Sequence, residues 1–217
     1  ATCPGADPAA VLAEPEGDWR IFDVSLKPWP ACRHAHAAID AALAARTAGI
    51  APPEIQSISV TTYPDALRFC DTPRPQSVIE AKFSLQHAIA VALRHGPPGL
   101  EHFEAAAFND AQVRALAARV ELAAGAPYED RYPARYGAGL VVTVNDGAHH
   151  VFDAPDALGD PENAMGEEQI ERKAVTLARH GGFSDAAAAR LAAAALGLAS
   201  GGGVAAFAAA LAGERSP

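Results

Sequence analysis

The stretch GAGLVVTVNDGAHHVFD, residues 137–153, decides the fold class of this chain. Two runs rich in β-branched and aromatic residues flank Asn145-Asp146-Gly147. A short turn of that composition tolerates the positive φ of a tight hairpin, so the stretch reads as two antiparallel strands. Upstream, EIQSISVTTY (54–63) sets Ile55, Ile58 and Val60 among β-branched neighbours and reads as a further strand. WRIFDVSL (19–26) alternates well enough to be expected as another.

The segments between these strands carry helical punctuation. ACRHAHAAIDAALAART (31–47) follows the prolines at 28 and 30 and is stopped by Gly49. Ser77 and Glu80 form a capping box for a helix that Gly96-Pro97-Pro98 closes. Asn109 is the expected cap of NDAQVRALAARV (109–120). After about residue 160, GEEQIERKAVTLARH, SDAAAARLAAAALGLA and GVAAFAAALAG read as three helices separated by glycine-rich breaks. They are alanine-rich and weakly amphipathic, so they need neighbours to stay folded. The expected layout is a lead-in or linker over 1–18, an α+β domain with a mixed or antiparallel sheet over 19–157, and a helical tail over 158–217.

The chain has 217 residues, of which 50% are hydrophobic and 20% charged, enough to build a core. Its net charge of −9 and the lack of any Lys/Arg run argue against a nucleic-acid partner. No apolar run reaches the roughly 18 residues that would span a bilayer. Cys3, Cys32 and Cys70 are an odd set without CxxC spacing, which suggests reduced thiols and a cytoplasmic setting. The start lacks both a basic segment and a long apolar segment, so no signal peptide is expected.

Chemistry concentrates in KPWPACRHAH (27–36). On a helix His34 and His36 point about 200° apart and cannot share a metal ion. Cys32 and His36 share a face, but a zinc site needs further ligands that the sequence does not offer. Cys32 near a helix start, beside Arg33 and His36, is a candidate nucleophile of lowered pKa, although no third group of recognisable spacing supports it. The remaining functional reading is an anion pocket. Pro30 pre-sets a helix start with free N–H groups, and Lys27, Arg33 and a histidine crowd that positive end, which a bound anion would offset. The alternative is a solvated basic cap with Lys27 lying over Trp29. His87, on the apolar face of EAKFSLQHAIAVAL with Ser84 three residues before it, has the pattern of a core histidine. Lys82 falls on another face and is expected in solvent. For the acids of GDPENAMGEE (159–168), charge matching to a helix N-terminus is sufficient explanation.

Three separated blocks, LKPWPACRHAHAAIDAAL, EAKFSLQHAIAVALRHG and DALGDPENAMGEEQIERK, resemble in order and spacing the C-terminal part of the MmgE/PrpD family. That family includes 2-methylcitrate dehydratase, cis-aconitate decarboxylase and iminodisuccinate epimerase. The resemblance implies a lid-type α+β domain that closes over a site for small di- and tricarboxylates. It implies proton abstraction beside a carboxylate, without a metal or other cofactor. In the pattern K-x-(Y/F/W)-P-x-C-R-x-x-H the family's positions fall on Lys27, Cys32, Arg33 and His36, with His34 at a variable position. The tyrosine that lines the decarboxylase site falls on His87, a departure that weakens a decarboxylase reading and leaves a group able to exchange protons near neutral pH.

The resemblance therefore implies catalytic roles for Lys27, His36 and His87, and substrate binding by Arg33, Cys32 and Ser84. It implies that further site residues come from a helical domain, in a longer chain or a separate subunit. Hydro-lyase chemistry is favoured, a homodimer is expected, and the isolated chain is expected to be almost inactive. A decarboxylase or epimerase of the same family, or a non-catalytic anion-binding or interaction module that retains the fold, stands as the alternative.

Overall fold

The computed structural model describes residue 17 and residues 20–212. The lead-in expected over 1–18 lies, apart from Gly17, outside the described residues. Most of the stretch expected as a strand at 19–26 is not one. Arg20–Asp23 is a 3-10 turn, and the following residues are irregular up to a single bond from Leu26 N to Gly159 O of 2.8 Å. With no neighbouring strand to pair along, alternation alone does not make a sheet member.

Helix α1 (His36–Thr47) is preceded by a 3-10 turn, Arg33–Ala35. Strand β1 (Ile55–Thr62) follows, then α2 (Pro64–Cys70), α3 (Val78–Lys82) and α4 (Leu85–His95). After a 3-10 turn at Leu100–Phe103 come α5 (Ala105–Phe108) and α6 (Ala111–Ala117). Strand β2 (Val120–Ala124), the single turn α7 (Tyr128–Arg131), and strands β3 (Ala138–Val144) and β4 (His149–Ala154) complete the α+β part. Three helices end the chain: α8 (Glu167–His180), α9 (Asp185–Ala199) and α10 (Val204–Leu211).

The sheet is mixed, in the order β2-β1-β3-β4. β3 and β4 form the expected hairpin, with Thr143 opposite His149. Its turn is held by Gly147 at φ +87° and by Asp146 Oδ1 accepting from Ala148 N at 2.9 Å. β1 runs antiparallel to β3 and parallel to β2, with Ile58 opposite Val120. β2 was not expected: the sequence suggested that the 109–120 helix ran to Val120. Alanines in VELAA hide the strand, and pairing to β1 overrides their propensity.

One sheet face carries the core. Ile55, Ile58 and Val60 of β1 and Ala138, Leu140 and Val142 of β3 are buried together, while Val151 of β4 is exposed. α1 covers this layer over β3 and β4, and α4 packs on α1. The contact face of α1 is mostly alanine, Ala37, Ala38, Ala41, Ala42 and Ala45, which lets its backbone approach both layers closely. α4 is buried at every position from Leu85 to Leu93, as a helix enclosed on all sides must be. The tail differs. α9 lies against α8 and α10, and it buries only Ala187, Ala188 and Ala192, whereas α8 and α10 bury no residue at all. Among the described residues no helix is long and apolar enough to cross a membrane.

Candidate functional site

The Lys27–His36 segment is fixed from behind by two carboxylates. Asp40, one turn into α1, accepts from Trp29 Nε1 at 2.8 Å and from Leu158 N at 2.7 Å. Asp160 accepts from Ser25 Oγ at 2.6 Å and forms an ion pair with Arg33. Asp160 is therefore a structural partner of the first block, and charge matching to α8 does not explain it. Gly159 makes this approach possible. Its φ is +90°, and a Cβ there would collide with the Leu26 carbonyl oxygen.

Held this way, Lys27 to Cys32 form one wall of a cavity of about 770 Å³. The opposite wall is α8, through Gln169, Arg172, Lys173 and Thr176, and Lys82 and Phe83 supply the side between them. Lys82, expected in solvent, thus faces the cavity. The break between α3 and α4 turns it there, and the sequence signal for that break was Ser84. Lys27, Lys82, Arg172 and Lys173 are the cationic lining residues, against one acid, Glu101. Arg172 also approaches Glu168 at 3.4 Å. A net positive wall on a chain of net charge −9 is a local field that favours anions.

Of the six residues singled out in sequence, only Lys27 and Cys32 line this cavity. Arg33 turns away, to Asp160 and over the Tyr136 ring at 5.1 Å. His36 is fully buried, with Nε2 at 3.2 Å from the Ala31 carbonyl oxygen and no partner for Nδ1. Burial first, then the cations Arg33 and Lys27, lower its pKa to about 3, so it is neutral and donates through Nε2. His87 is buried near the start of α4, its Nε2 2.8 Å from the His102 carbonyl oxygen and its ring edge-on to Phe103. Burial lowers its pKa as well. Ser84 caps α4, accepting from His87 N at 3.0 Å and donating to the Thr72 carbonyl at 2.6 Å. His34 diverges from His36, as helix geometry required, and stacks on Phe69 at 5.3 Å with Nδ1 2.9 Å from Tyr63 Oη. Among the described residues no three potential ligands cluster to hold a metal.

Cys32 stands at the start of the Arg33–Ala35 turn, and its side chain makes no capping hydrogen bond there. The strongest influence on the Cys32 thiol is Cys70, which favours its ionised form. Lys27 adds its charge, and against the opposing effect of burial the Cys32 pKa falls to about 6. The Cys70 thiol is pushed up in turn, by Cys32 and by burial.

No curated protein matches the chain. The family model described as the MmgE/PrpD C-terminal domain matches residues 29–198, which takes in the Trp29–Cys32 part of the wall, the whole sheet, α8 and nearly all of α9. The chain belongs to the MmgE/PrpD family, as a carrier of its C-terminal domain.

Proposed function

We propose that this cavity is the carboxylate-binding half of a lyase site that acts on a small di- or tricarboxylate by removing a proton beside a carboxylate. The observation that carries the reading is the four-cation wall of Lys27, Lys82, Arg172 and Lys173 around a cavity large enough for such an acid. Lys27 and Lys82 bind substrate carboxylates, and Lys27 stabilises the enolate-like charge that develops after proton loss. Arg33, His36, Ser84 and His87 act through the wall they hold in place. Hydro-lyase chemistry of the 2-methylcitrate dehydratase kind is favoured, since His87 stands where the resemblance would put the tyrosine of a decarboxylase. The remaining acid and base groups come from a helical domain, in the same polypeptide or a separate subunit, and a homodimer would be the working form.

The test has two parts. Titration of the chain with citrate should show binding that Lys27→Ala and Lys82→Ala each weaken about tenfold, the effect of losing one charged contact of about 1.4 kcal/mol. Turnover of 2-methylcitrate or cis-aconitate should appear only when a family helical domain is supplied. An unaltered Lys27→Ala variant, or no binding by the parent, defeats the reading. A second reading, an anion-binding module without catalysis, is favoured by the engagement of His36 and His87 with backbone carbonyls. It predicts the same citrate binding with no turnover under either condition.

A further inference from the structure

Much of the cavity wall is carbon. Trp29, Phe83, Leu100, Leu158, Met165 and Leu177 line it beside the four cations, and a small acid made only of carboxylates and hydroxyls gains nothing from such a surface. The apolar lining is held by the same framework as the charges. Asp40 accepts from Trp29 Nε1 at 2.8 Å and from Leu158 N at 2.7 Å. Asp40 itself does not line the cavity, so the indole N–H is engaged outside it and Trp29 offers ring carbon to whatever enters. Phe83 follows Lys82, whose carbonyl accepts from Cys32 N at 2.8 Å and ties the end of α3 to the Lys27–Cys32 wall. Leu100 belongs to a rim fixed by Gly99 N donating to His102 Nδ1 at 2.9 Å.

We propose that the polycarboxylate bound here carries an alkyl chain longer than a methyl group, with the cationic residues holding its carboxylates and Trp29, Phe83 and Leu177 covering the chain. The inference rests on the anion-binding reading above and narrows its substrate class. α8 displays the required polarity. Lys173 and Leu177 are four residues apart on one face of the helix, and both line the cavity. Leu177 therefore lies about 6 Å beyond the cation along the helix axis, the reach of about five methylenes. Size points the same way. A cavity of about 770 Å³ is in the range that takes drug-sized ligands, and a citrate-sized acid leaves much of it to water. That water lies against Phe83 and Leu177, which are 36% and 48% exposed. Each methylene that displaces it should tighten binding about two- to fourfold.

The experiment is calorimetric titration of the full chain with succinate, methylsuccinate, butylsuccinate, citrate and 1-hexanol. Butylsuccinate should bind at least about tenfold more tightly than succinate, with methylsuccinate between them. 1-Hexanol, which has a chain and no acid, should show no saturable binding. Lys27→Ala should weaken succinate and butylsuccinate by the same factor, whereas Leu177→Asn and Phe83→Ser should each cut the butylsuccinate-to-succinate ratio at least about threefold. Equal affinity for the two succinates while citrate still binds overturns this inference and leaves the anion site standing. Absence of binding by every acid defeats both. A ratio unchanged in Leu177→Asn and Phe83→Ser, or saturable binding of 1-hexanol, puts the chain elsewhere and also overturns it. The parent titrations need no variant, and Leu177 lies outside the buried core, so poor folding of Phe83→Ser cannot decide the outcome.

Discussion

Asp160, only 5% exposed, carries both the Arg33 ion pair and the Ser25 hydrogen bond. Removing one member of a buried pair strands the other charge, at a cost of about 3 kcal/mol. Asp160→Ala should lower stability by that amount in urea denaturation and displace the Lys27 segment, weakening citrate binding as well. His36 ties stability to pH. Its folded pKa of about 3 lies below the ordinary 6.5 of an unfolded chain, so the unfolded chain takes up the proton first. Its contribution is complete above about pH 6.5 and is lost as pH falls from there toward 3, by about 2 kcal/mol at pH 5. His36→Gln keeps a donor for the Ala31 carbonyl and cannot titrate. The variant should lose about 2 kcal/mol less than the parent between pH 7 and pH 5 in matched denaturant melts. His34, His87 and His95 are lowered by burial too, so both proteins keep a residual slope of the same sign.

The hairpin, β1, α1 and the tail helices were legible because local signals and tertiary need agree there. Asn145-Asp146-Gly147 makes its turn, and Gly49 ends α1 at φ +91°. The stretch from Ser77 to Gly96 was legible only at its ends. Ser77 caps α3 by accepting from Glu80 N, but Glu80 reaches back to Gln76 N, and Ser84 then starts α4 as a second cap. Ser84 in VIEAKFSLQH was the available sign, since serine competes with helix hydrogen bonds in an interior and favours a cap. Likewise Asp110, not Asn109, caps α6, accepting from Gln112 N and Val113 N at 2.9 and 2.8 Å. Each misreading shifts side chains, and the first is what concealed Lys82 from the site. Ser84→Ala should remove the α4 cap and leave the Thr72 carbonyl without its donor, a loss of about 1–2 kcal/mol. Urea melts would show it. A loss below about 0.5 kcal/mol would mean that packing alone fixes the α3–α4 break.

The α+β part and the tail differ in what holds them. The contiguous buried core runs from Ala31 to Ala157 and takes no residue from α8, α9 or α10. Leu177, Leu196, Leu198, Val204 and Leu211 of those helices remain exposed. Yet α8 supplies Arg172 and Lys173, two of the four cations that give the cavity its sign. Sequence spacing shows that a helix lies at 167–180, but not that its basic face turns back over residues more than 130 positions earlier. The pocket chemistry of Lys27–Cys32 was readable, while its closure was a property of the folded chain. Stability and anion binding should therefore separate when the tail is removed. A chain ending at Ala164 keeps Asp160 and Asn163, whose backbones pair and fix the Gly159 loop. That shortened chain should unfold cooperatively at nearly the parent's urea midpoint, with a smaller m-value because less surface is exposed on unfolding. Its citrate affinity should fall tenfold or more, from loss of the α8 cations and of the wall that excludes water from Lys27 and Lys82. If the shortened chain is unfolded, the tail is part of the core's stability. If it binds citrate as the parent does, α8 is not a wall of the anion site.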